Sequence, residues 1–381
     1  MKNQALHEKK RTRILMTADA VGGIWNYAVE LARALDHFDC DVLLAVTGPA
    51  PNASQMEEMA SVPHVAMVAI PSKLEWMESP WDDVRRTGYR LLELAQEWQP
   101  DVVHLNSYSY ASASWDVPIV VVAHSCVLSW WRAVKLSDPP VEWNRYKREV
   151  ERGLESAHVV VAPTGTLLSA LKEHYTWDSP AVVIPNGISG CFACQTPKHD
   201  FVFAVGRIWD EAKNFKALAS VSRMVPWPIL VAGDISLASN TAGRGDLKAL
   251  GRLSSSATRE WMSMAGIYAF PAKYEPFGLS ILEAASAGCP LILGDIPSLR
   301  ENWEDAAVFV EPDDRLQLAD ALNALICDSV SRATLGEKAK SRAAHLSSAR
   351  MAENYASLYE SLRTGRIDNW LRNVGAKICA S

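Results

Sequence analysis

The stretch RILMTADAVGGIWNYAVELARAL, residues 13–35, indicates the fold class of this chain. It begins with a short apolar run and continues through Gly22 and Gly23 into a segment whose apolar residues keep helical spacing. That order is typical of a strand, a glycine loop and a helix. The two glycines would let the loop approach a ligand closely, although a tight strand-to-helix turn explains them equally well.

The same alternation of strand and helix continues through the first half of the chain. Two of the apolar runs, residues 101–105 and 118–123, are nearly continuous, as in a parallel sheet covered on both faces. We therefore predict an N-terminal Rossmann-like domain over residues 1–190. Its further strands are expected at residues 41–46, 65–70, 101–105, 118–123, 159–162 and 181–184, with a helix at residues 90–98.

The alternation starts again after a Gly-, Pro- and Cys-containing stretch at residues 185–197. We predict a C-terminal Rossmann-like domain over residues 191–350, followed by a helical segment over residues 351–381. Two doubly wound α/β domains would face each other across a cleft, and ligands of such sheets bind beyond the carboxyl ends of the strands. The second set of strands is expected at residues 201–205, 229–232, 268–271, 290–293 and 308–310. Helical patterns are expected at residues 214–223, 315–327 and 337–363, followed by a final short piece at residues 370–378.

The segment KYEPFGLSILEA, residues 273–284, combines a helix start with two carboxylates. Pro276 suits a first helical turn, so the helix is predicted to begin there. The amides of the next residues, Phe277, Gly278 and Leu279, would then be free to bind an anion.

The two carboxylates of this segment, Glu275 and Glu283, are expected to contact the group attached to that anion. Glu283 lies seven residues after Pro276, which places it on the same helix face about 10 Å further along the axis. Glu275 would point toward a sugar hydroxyl. The alternative is a buried helix entry whose two glutamates are exposed to solvent or cap the helix.

Two cations follow the strand at residues 201–205. Arg207 could grip phosphate oxygens with its planar guanidinium, and Lys213 could add a point charge to the same anion. Taken alone, each could equally be a solvated loop residue. The combination with the helix start at Phe277 is far more specific than either part.

His124 ends the apolar strand at residues 118–123 and is followed by Ser125. Such a histidine can hydrogen-bond a sugar hydroxyl or transfer a proton, although a lone histidine is often structural. The nearby Trp130, Trp131, Arg132 and Lys135 could form a wall for an acceptor, or could pack as an ordinary helix.

Composition excludes several classes of protein. The 381 residues carry a net charge of -6, which gives no general electrostatic footprint for nucleic acid.

Two motif comparisons exclude further kinds of site. GGIWN does not fit the dinucleotide fingerprint Gly-x-Gly-x-x-Gly. Neither acidic pair, Asp82–Asp83 nor Asp313–Asp314, resembles a metal site.

The sequence also bears on the cellular compartment. We find no apolar stretch of the ~18 to 20 residues that span a bilayer and no signal-peptide core, and the seven cysteines do not suggest a disulfide framework. A cytoplasmic protein is expected. A basic run from Lys9 to Arg13 could touch anionic lipid at the inner membrane face, although a frayed terminus is the preferred interpretation. Cys191 and Cys194 could form a zinc or redox pair, but two small linker residues are preferred.

Taken together, these residues resemble the retaining glycosyltransferases of family 4, which have the two-domain GT-B fold. The resemblance rests on Gly22–Gly23, on His124, on PNGI at residues 185–188, on Arg207 with Lys213, and on EPFGLSILE with its two glutamates. It implies a metal-independent hexosyltransferase that uses a nucleoside diphosphate sugar and needs no cofactor. The acceptor could be a glycan, a lipid-linked group or a small molecule. The resemblance also implies that the C-terminal helical segment packs back on the N-terminal domain.

The resemblance also implies a role for each residue. The residues expected at the reacting groups are Glu275, His124, Arg207 and Lys213. The residues expected to bind the donor are Gly22, Gly23, Arg207, Lys213, Phe277, Gly278, Leu279 and Glu283. Two other functions stay open: a nucleotide-sugar epimerase, and a non-catalytic nucleotide-sugar-binding protein.

Overall fold

The computed structural model describes residues 11–190, 197–233 and 247–378, with side chains described as far as residue 373. Within these ranges the chain forms two sheets whose strands are all parallel. Each sheet separates two hydrophobic cores, so helices cover both of its faces. The prediction of two Rossmann-like domains is confirmed, whereas the division of the chain at residues 190 and 350 stays a prediction. The pair Cys191 and Cys194 lies outside the described residues.

The first sheet contains seven strands, and each predicted strand is present with small differences at its ends. The strands are β1 Thr12–Asp19, β2 Cys40–Gly48, β3 Val65–Pro71, β4 Val102–Leu105, β5 Ile119–Val122, β6 Val159–Ala162 and β7 Ala181–Val183. The helices are α1 Gly23–Leu35, α2 Ala53–Ala60, α3 Trp81–Trp98, α4 Val127–Lys135, α5 Asn144–Ser156 and α6 Gly165–His174. The strand order is β3-β2-β1-β4-β5-β6-β7. This order places β4 in the centre, between β1 and β5.

The central strands are buried on both faces because helices lie above and below them. Successive side chains of a strand point to opposite faces. Accordingly, Ile14 and Met16 of β1 belong to one core, and Leu15 belongs to the other. All residues of β4, β5 and β6 are buried. This explains why their sequences are nearly continuous in apolar residues.

The second sheet contains six strands in the order β10-β9-β8-β11-β12-β13. The strands are β8 His199–Val205, β9 Ile229–Ala232, β10 Lys248–Gly251, β11 Ala265–Phe270, β12 Leu291–Gly294 and β13 Val308–Val310. The helices are α7 Phe215–Val221, α8 Ser255–Met264, α9 Leu279–Ser286, α10 Pro297–Trp303, α11 Arg315–Cys327 and α12 Ser329–Ala344. Strand β10 was not predicted. It lies at the sheet edge with Lys248 and Ala249 exposed, so it carries no apolar run.

The end of the chain forms two further helices, α13 Ser348–Arg363 and α14 Ile367–Ile378. The prediction of one helical pattern over residues 337–363 is wrong, because the helix breaks between Ala344 and Ser348. Ser347 caps α13 by accepting a hydrogen bond from the Arg350 amide at 3.3 Å. Helix α12 packs in the second domain, whereas Tyr355 of α13 lies in a core of the first domain.

The chain crosses between the domains twice at one place. The Ile188 amide donates to the Leu346 carbonyl at 3.2 Å, and the Ser348 amide donates to the Ile188 carbonyl at 3.0 Å. Gly187 allows this close approach, since a Cβ there would lie 2.2 Å from the Ser347 carbonyl oxygen. The two crossings therefore form one compact connection.

Two features bear on membrane contact. The interpretation of the basic run as a frayed terminus is wrong at Arg11, whose guanidinium donates to Asp41 at 2.6 Å, to Asp36 at 2.8 Å and to the Cys40 carbonyl at 2.7 Å. These contacts hold the chain just before β1. In the parts of the chain that the structure describes, no helix combines the length and apolarity needed to cross a bilayer.

Candidate active site

The predicted site residues follow the carboxyl ends of four strands. Gly22 follows β1 and His124 follows β5 in the first domain, while Arg207 follows β8 and Glu275 follows β11 in the second. Strands β1 and β5 flank β4, and β8 and β11 are neighbours. The topology therefore brings the two residues of each pair together at the carboxyl ends of the strands of their sheet, where the two domains meet.

The glycine loop of the first domain touches the second domain. A Cβ on Gly22 would lie 3.1 Å from Arg207 Nη1, and a Cβ on Gly23 would lie 3.6 Å from Leu279 Cδ1. Asp19, the last residue of β1, lies buried behind this loop, where burial raises its pKa and the Val21 amide and the charge of Arg207 oppose the rise. The structure thus brings together Gly22, Gly23, Arg207 and Leu279, and their role in binding a donor stays a prediction.

The start of helix α9 differs from the prediction. The helix begins at Leu279, not at Pro276, because Gly278 adopts a left-handed conformation with φ of 88°. Glu275 Oε1 accepts hydrogen bonds from the amides of Gly278 at 3.1 Å and Phe277 at 3.5 Å. In this state two of the three amides expected to bind an anion are therefore occupied by the protein's own carboxylate.

Glu275 also binds the predicted cation. Lys213 Nζ donates to Glu275 Oε2 at 2.8 Å, and the two side chains are only 12% and 16% exposed. The carboxylate thus lies between a lysine and a helix N-terminus, two groups that attract anions. This arrangement is suited to binding negative charge.

We use the name anion site for Arg207, Lys213 and the amides of Leu279 and Ser280, which lie near one another. The amides at the start of a helix have no acceptor within it. The side chain of Arg207 is 38% exposed and faces the glycine loop. A ligand with two linked negative groups would contact two cations and a helix start here.

Asp210 holds Arg207 in place, and the sequence interpretation missed it. Its Oδ2 accepts from Arg207 Nη2 at 2.8 Å, while its Oδ1 accepts from the Ala212 amide at 3.0 Å and from Trp130 Nε1 at 3.1 Å. Burial would raise the pKa of Asp210, but the charges of Lys213 and Arg207 outweigh it and hold the pKa below its ordinary value. The signal was an acidic residue three positions after the arginine in GRIWDEAKN.

His124 is half-buried and points one nitrogen inward. Its Nε2 hydrogen-bonds Asn106 Oδ1 at 2.7 Å, and its ring meets the Tyr27 ring edge-on at 4.5 Å. Burial, with His104 nearby, lowers the pKa of His124 to about 3. At neutral pH the imidazole is therefore uncharged, which favours hydrogen bonding over proton transfer among the two predicted roles. Ser125 Oγ lies 3.4 Å from the Tyr274 hydroxyl.

The residues predicted as an acceptor wall divide into two groups. Trp130 reaches the second domain through Asp210, and Lys135 Nζ pairs with Glu211 at 2.8 Å. Arg132 and Trp131 instead contact residues just after α4: Arg132 lies 3.4 Å from Asp138, and Trp131 Nε1 donates to Ser137 at 3.2 Å. Trp130 and Lys135 therefore help to close the cleft, and their role toward an acceptor stays a prediction.

Glu283 lines a small cavity between the domains. Burial raises the pKa of Glu283 to about 7; Arg259 opposes the rise, and Glu30 and Glu58 add to it. Within the described residues its carboxylate accepts no hydrogen bond, while the charge of Arg259 in the same cavity acts on it. The cavity is lined by Asn26, Val29, Glu30, Glu58, Ile188, Ser255, Arg259, Leu279 and Glu283.

Similar proteins match most of this chain in sequence, and similar solved structures share its fold. The D-inositol 3-phosphate glycosyltransferase of Corynebacterium diphtheriae is 26% identical over 89% of this chain and 89% of its own. The glycogen synthase of Mycobacterium tuberculosis is 25% identical over 84% of this chain and 86% of its own. Among solved structures, the sucrose-phosphate synthase of Thermosynechococcus elongatus superposes with a TM-score of 0.78 at 18% identity, covering 93% of this chain and 100% of that one. Anabaena HepE in complex with UDP-glucose superposes with a TM-score of 0.72 at 18% identity, covering 92% and 100%.

Two family models match consecutive parts of the chain. Residues 21–189 match Glycosyltransferase Family 4, and residues 196–342 match Glycosyl transferases group 1. Together the matches span most of the 381 residues and contain every predicted site residue. The chain is therefore a glycosyltransferase of the GT-B fold and belongs to family 4 in its first domain and to the group 1 glycosyl transferases in its second.

Proposed function

We propose that this enzyme transfers a hexosyl group from a nucleoside diphosphate sugar to an acceptor hydroxyl, without a metal ion and with retention of the anomeric configuration. The observation that carries the proposal is the anion site. Its two cations and the start of α9 lie at the glycine loop of the opposite domain. A complex of HepE with UDP-glucose, in a similar fold, supports the same class of donor.

The donor would extend along α9. Its diphosphate would bind Arg207, Lys213 and the amides of Leu279 and Ser280. Glu283 lies four residues after Leu279, roughly 6 Å along the helix axis, where a ribose joined to the phosphate would reach it. The carboxylate of Glu283, which accepts no hydrogen bond from the part of the chain that the structure describes, can accept hydrogen bonds from two ribose hydroxyls.

Donor binding would change the partners of Glu275. In the structure its carboxylate accepts hydrogen bonds from Lys213 and from the Gly278 amide. A donor phosphate would compete for Lys213, which leaves Glu275 free to contact the sugar. The carboxylate would then lie beside a sugar that gains positive charge during transfer.

The chemistry follows from charge development. As the bond between the anomeric carbon and the phosphate oxygen breaks, positive charge grows on the sugar and negative charge on the diphosphate. Arg207, Lys213 and the helix amides are already oriented to stabilise the departing phosphate. The acceptor oxygen bonds to the anomeric carbon on the face that the phosphate leaves, and the hydroxyl proton passes to the departing phosphate oxygen. These positive groups can supply the charge stabilisation that a metal ion gives elsewhere.

The direct test follows the anomeric proton by NMR. The enzyme is incubated with UDP-, ADP- and GDP-glucose and with a panel of glycan, lipid-linked and small-molecule acceptors. We expect nucleotide release and an α-linked product from an α-linked donor. A β-linked product would contradict retention. Formation of an epimer without any acceptor would indicate the epimerase instead, and binding without turnover of any donor would indicate a non-catalytic binding protein.

The raised pKa of Glu283 predicts pH-dependent donor binding. The ionised carboxylate is the better acceptor for ribose hydroxyls, so affinity should fall as pH drops from 8 through about 7 to 5.5. We expect the Kd of the nucleotide sugar to rise about tenfold over this range, and Glu283→Gln to bind weakly with little pH dependence. The sugar conjugate is used because a free terminal phosphate itself titrates near pH 6. Equal pH dependence in both proteins would remove Glu283 from the ribose site.

Asp210 should matter for donor affinity because it fixes Arg207. Asp210→Asn keeps an oxygen for Ala212 and Trp130 but loses the charged partner of Arg207. We expect the Kd of the nucleotide sugar to rise by about 10- to 100-fold, which corresponds to one charged hydrogen bond. The matched control is Asp138→Asn, which removes the partner of Arg132 on the surface. Calorimetric titration of both variants checks this, and equal affinities would show that Asp210 does not position Arg207 for the donor.

The expectation of a cytoplasmic enzyme with peripheral contact at the inner membrane face stays a prediction. The same holds for the expectation that no cofactor is used. The acceptor class also stays a prediction among the glycan, lipid-linked and small-molecule alternatives.

A further inference from the structure

We propose that Asn106 is a positioning residue that fixes His124 as the tautomer with its proton on Nε2, so that Nδ1 offers a hydrogen-bond acceptor. The assignment of the tautomer stands on contacts within the protein. Only the last step, contact of Nδ1 with a hydroxyl of the donor sugar, rests on the proposed function.

The orientation of the Asn106 amide is set by Thr17. Asn106 follows β4, which lies beside β1 in the sheet. Its backbone amide donates to Thr17 Oγ1 at 2.9 Å, and its side-chain Nδ2 donates to the Thr17 carbonyl at 2.6 Å. A carbonyl oxygen can only accept, so the amide nitrogen faces Thr17 and Oδ1 faces the opposite way.

Asn106 Oδ1 meets two imidazole rings. It lies 2.7 Å from His124 Nε2 and 3.1 Å from His104 Nε2. An amide oxygen carries no proton, so each Nε2 donates to it. The other nitrogen of His104, Nδ1, accepts from the Tyr359 hydroxyl at 2.6 Å. This assigns the protons on Asn106 Nδ2, on both Nε2 atoms and on the Tyr359 hydroxyl, and the Tyr27 hydroxyl, 3.4 Å from His104 Nε2, can accept from the same N–H.

The remaining nitrogen of His124 is therefore an unprotonated acceptor. Among the described residues no group hydrogen-bonds Nδ1, and the atom is not enclosed by protein. The titratable groups that face His124 in the described structure are His104 of β4 and Tyr27 of α1. Burial lowers the pKa of His104 to about 4 and raises the pKa of Tyr27 well above its ordinary value, so both are neutral at pH 7.

This assignment suits a sugar that becomes cationic during transfer. A neutral ring places no positive charge beside it. An acceptor nitrogen fixes a sugar hydroxyl in one direction, with its proton toward the protein. The other tautomer would point an N–H at the sugar and leave a lone pair against Asn106 Oδ1.

The tautomer can be measured without any substrate. The probe is the free full-length protein, labelled with ¹⁵N at histidine and observed by long-range proton–nitrogen correlation, with the His124 signals assigned from a His124→Gln spectrum. We expect a single neutral Nε2–H form at pH 7 in the wild type and a mixture of tautomers in Asn106→Ala. Tyr359→Phe, which removes the hydroxyl bonded to His104, is the control and should leave the His124 tautomer unchanged. An Nδ1–H form in the wild type, or an unchanged tautomer in Asn106→Ala, would overturn the proposal.

A second variant separates positioning from folding. Asn106→Asp places a carboxylate beside the ring and should raise the pKa of His124, because an opposite charge favours imidazolium. UDP-glucose is the probe. The kcat of this variant should be low at pH values below the new pKa of His124 and should recover at higher pH. The pH profile of the wild type should show no such decrease. Superposable pH profiles would overturn the contact with the sugar. If the NMR result holds but neither protein turns over any glucose or mannose conjugate of UDP, ADP or GDP, the proposed function fails and the tautomer assignment stands.

Discussion

Replacing Lys213 with alanine is expected to lower kcat/KM for the nucleotide sugar by about 10²- to 10³-fold, the loss typical of one preorganised charge at a developing anion. The reason is its position: Nζ binds the carboxylate that occupies the anion site in the free enzyme, and the side chain is only 12% exposed. In a site with so little water, a positive charge stabilises the departing phosphate strongly. The measurement is initial-rate transfer, or donor hydrolysis if no acceptor is found.

The control for this prediction is Lys273→Ala. Lys273 belongs to the same loop as Glu275 but pairs with the exposed carboxylate of Asp313. Losing a surface ion pair changes stability by about 1 kcal/mol or less and should leave transfer unchanged. Circular dichroism of both variants confirms that the fold is retained. Turnover by Lys213→Ala within about twofold of wild type would show that the phosphate assignment is wrong.

Glu275→Gln is expected to lower kcat by about 10²-fold while the Kd of the donor changes much less, because the carboxylate is proposed to act on the cationic sugar of the transition state. Glutamine keeps the shape of the side chain but not its charge. In the free enzyme one amide oxygen cannot serve both Lys213 and the Gly278 amide, so a stability loss of about 1 to 3 kcal/mol is also expected. Single-turnover rates and calorimetric binding separate the two effects.

The matched control is Glu211→Gln. Glu211 also pairs with a lysine across the domains, but its side chain is 51% exposed. Its kcat should remain close to the wild-type value. If Glu275→Gln weakens donor binding as much as it lowers kcat, Glu275 contributes to ground-state binding and its proposed action on the transition state is wrong.

Much of the fold could be predicted from the sequence because its core strands are buried on both faces. Burial demands apolar runs such as Val159–Ala162, and those runs are visible in a single sequence. Strand β10 lies at an edge with exposed residues and leaves no such signal. The start of α9 was misplaced because Pro276 fits a first helical turn, whereas the positive φ of Gly278 delays the helix by three residues.

The candidate site was only partly predictable. Gly22, Arg207 and Leu279 stand out because glycine loops, strand-end cations and helix starts form recognisable patterns, and the structure brings them together. Asp210 and Asn106 are single polar residues whose roles depend on partners elsewhere in the chain. Asn106 reaches Thr17 across 89 positions, and no local spacing reports such a contact.

The contacts between the domains could not be predicted for the same reason. Thr164 Oγ1 donates to the Pro276 carbonyl at 3.0 Å, and Glu301 accepts from the amides of Gly165 at 2.7 Å and Thr166 at 2.9 Å. A carboxylate from α10 therefore caps α6 of the other domain. These contacts, with those of Trp130 and Lys135, hold the glycine loop against the anion site.

The measurement that tests the central claim most directly is a thermal-shift panel of UDP, ADP, GDP and their glucose and mannose conjugates. A ligand that binds only the folded state raises Tm, by an amount that grows with its concentration relative to Kd. We predict that the nucleotides of one base raise the Tm of the wild type and fail to raise that of a variant with both Arg207→Ala and Lys213→Ala. An equal shift in the two proteins, or no shift with any nucleotide, would contradict the anion site as the seat of the donor.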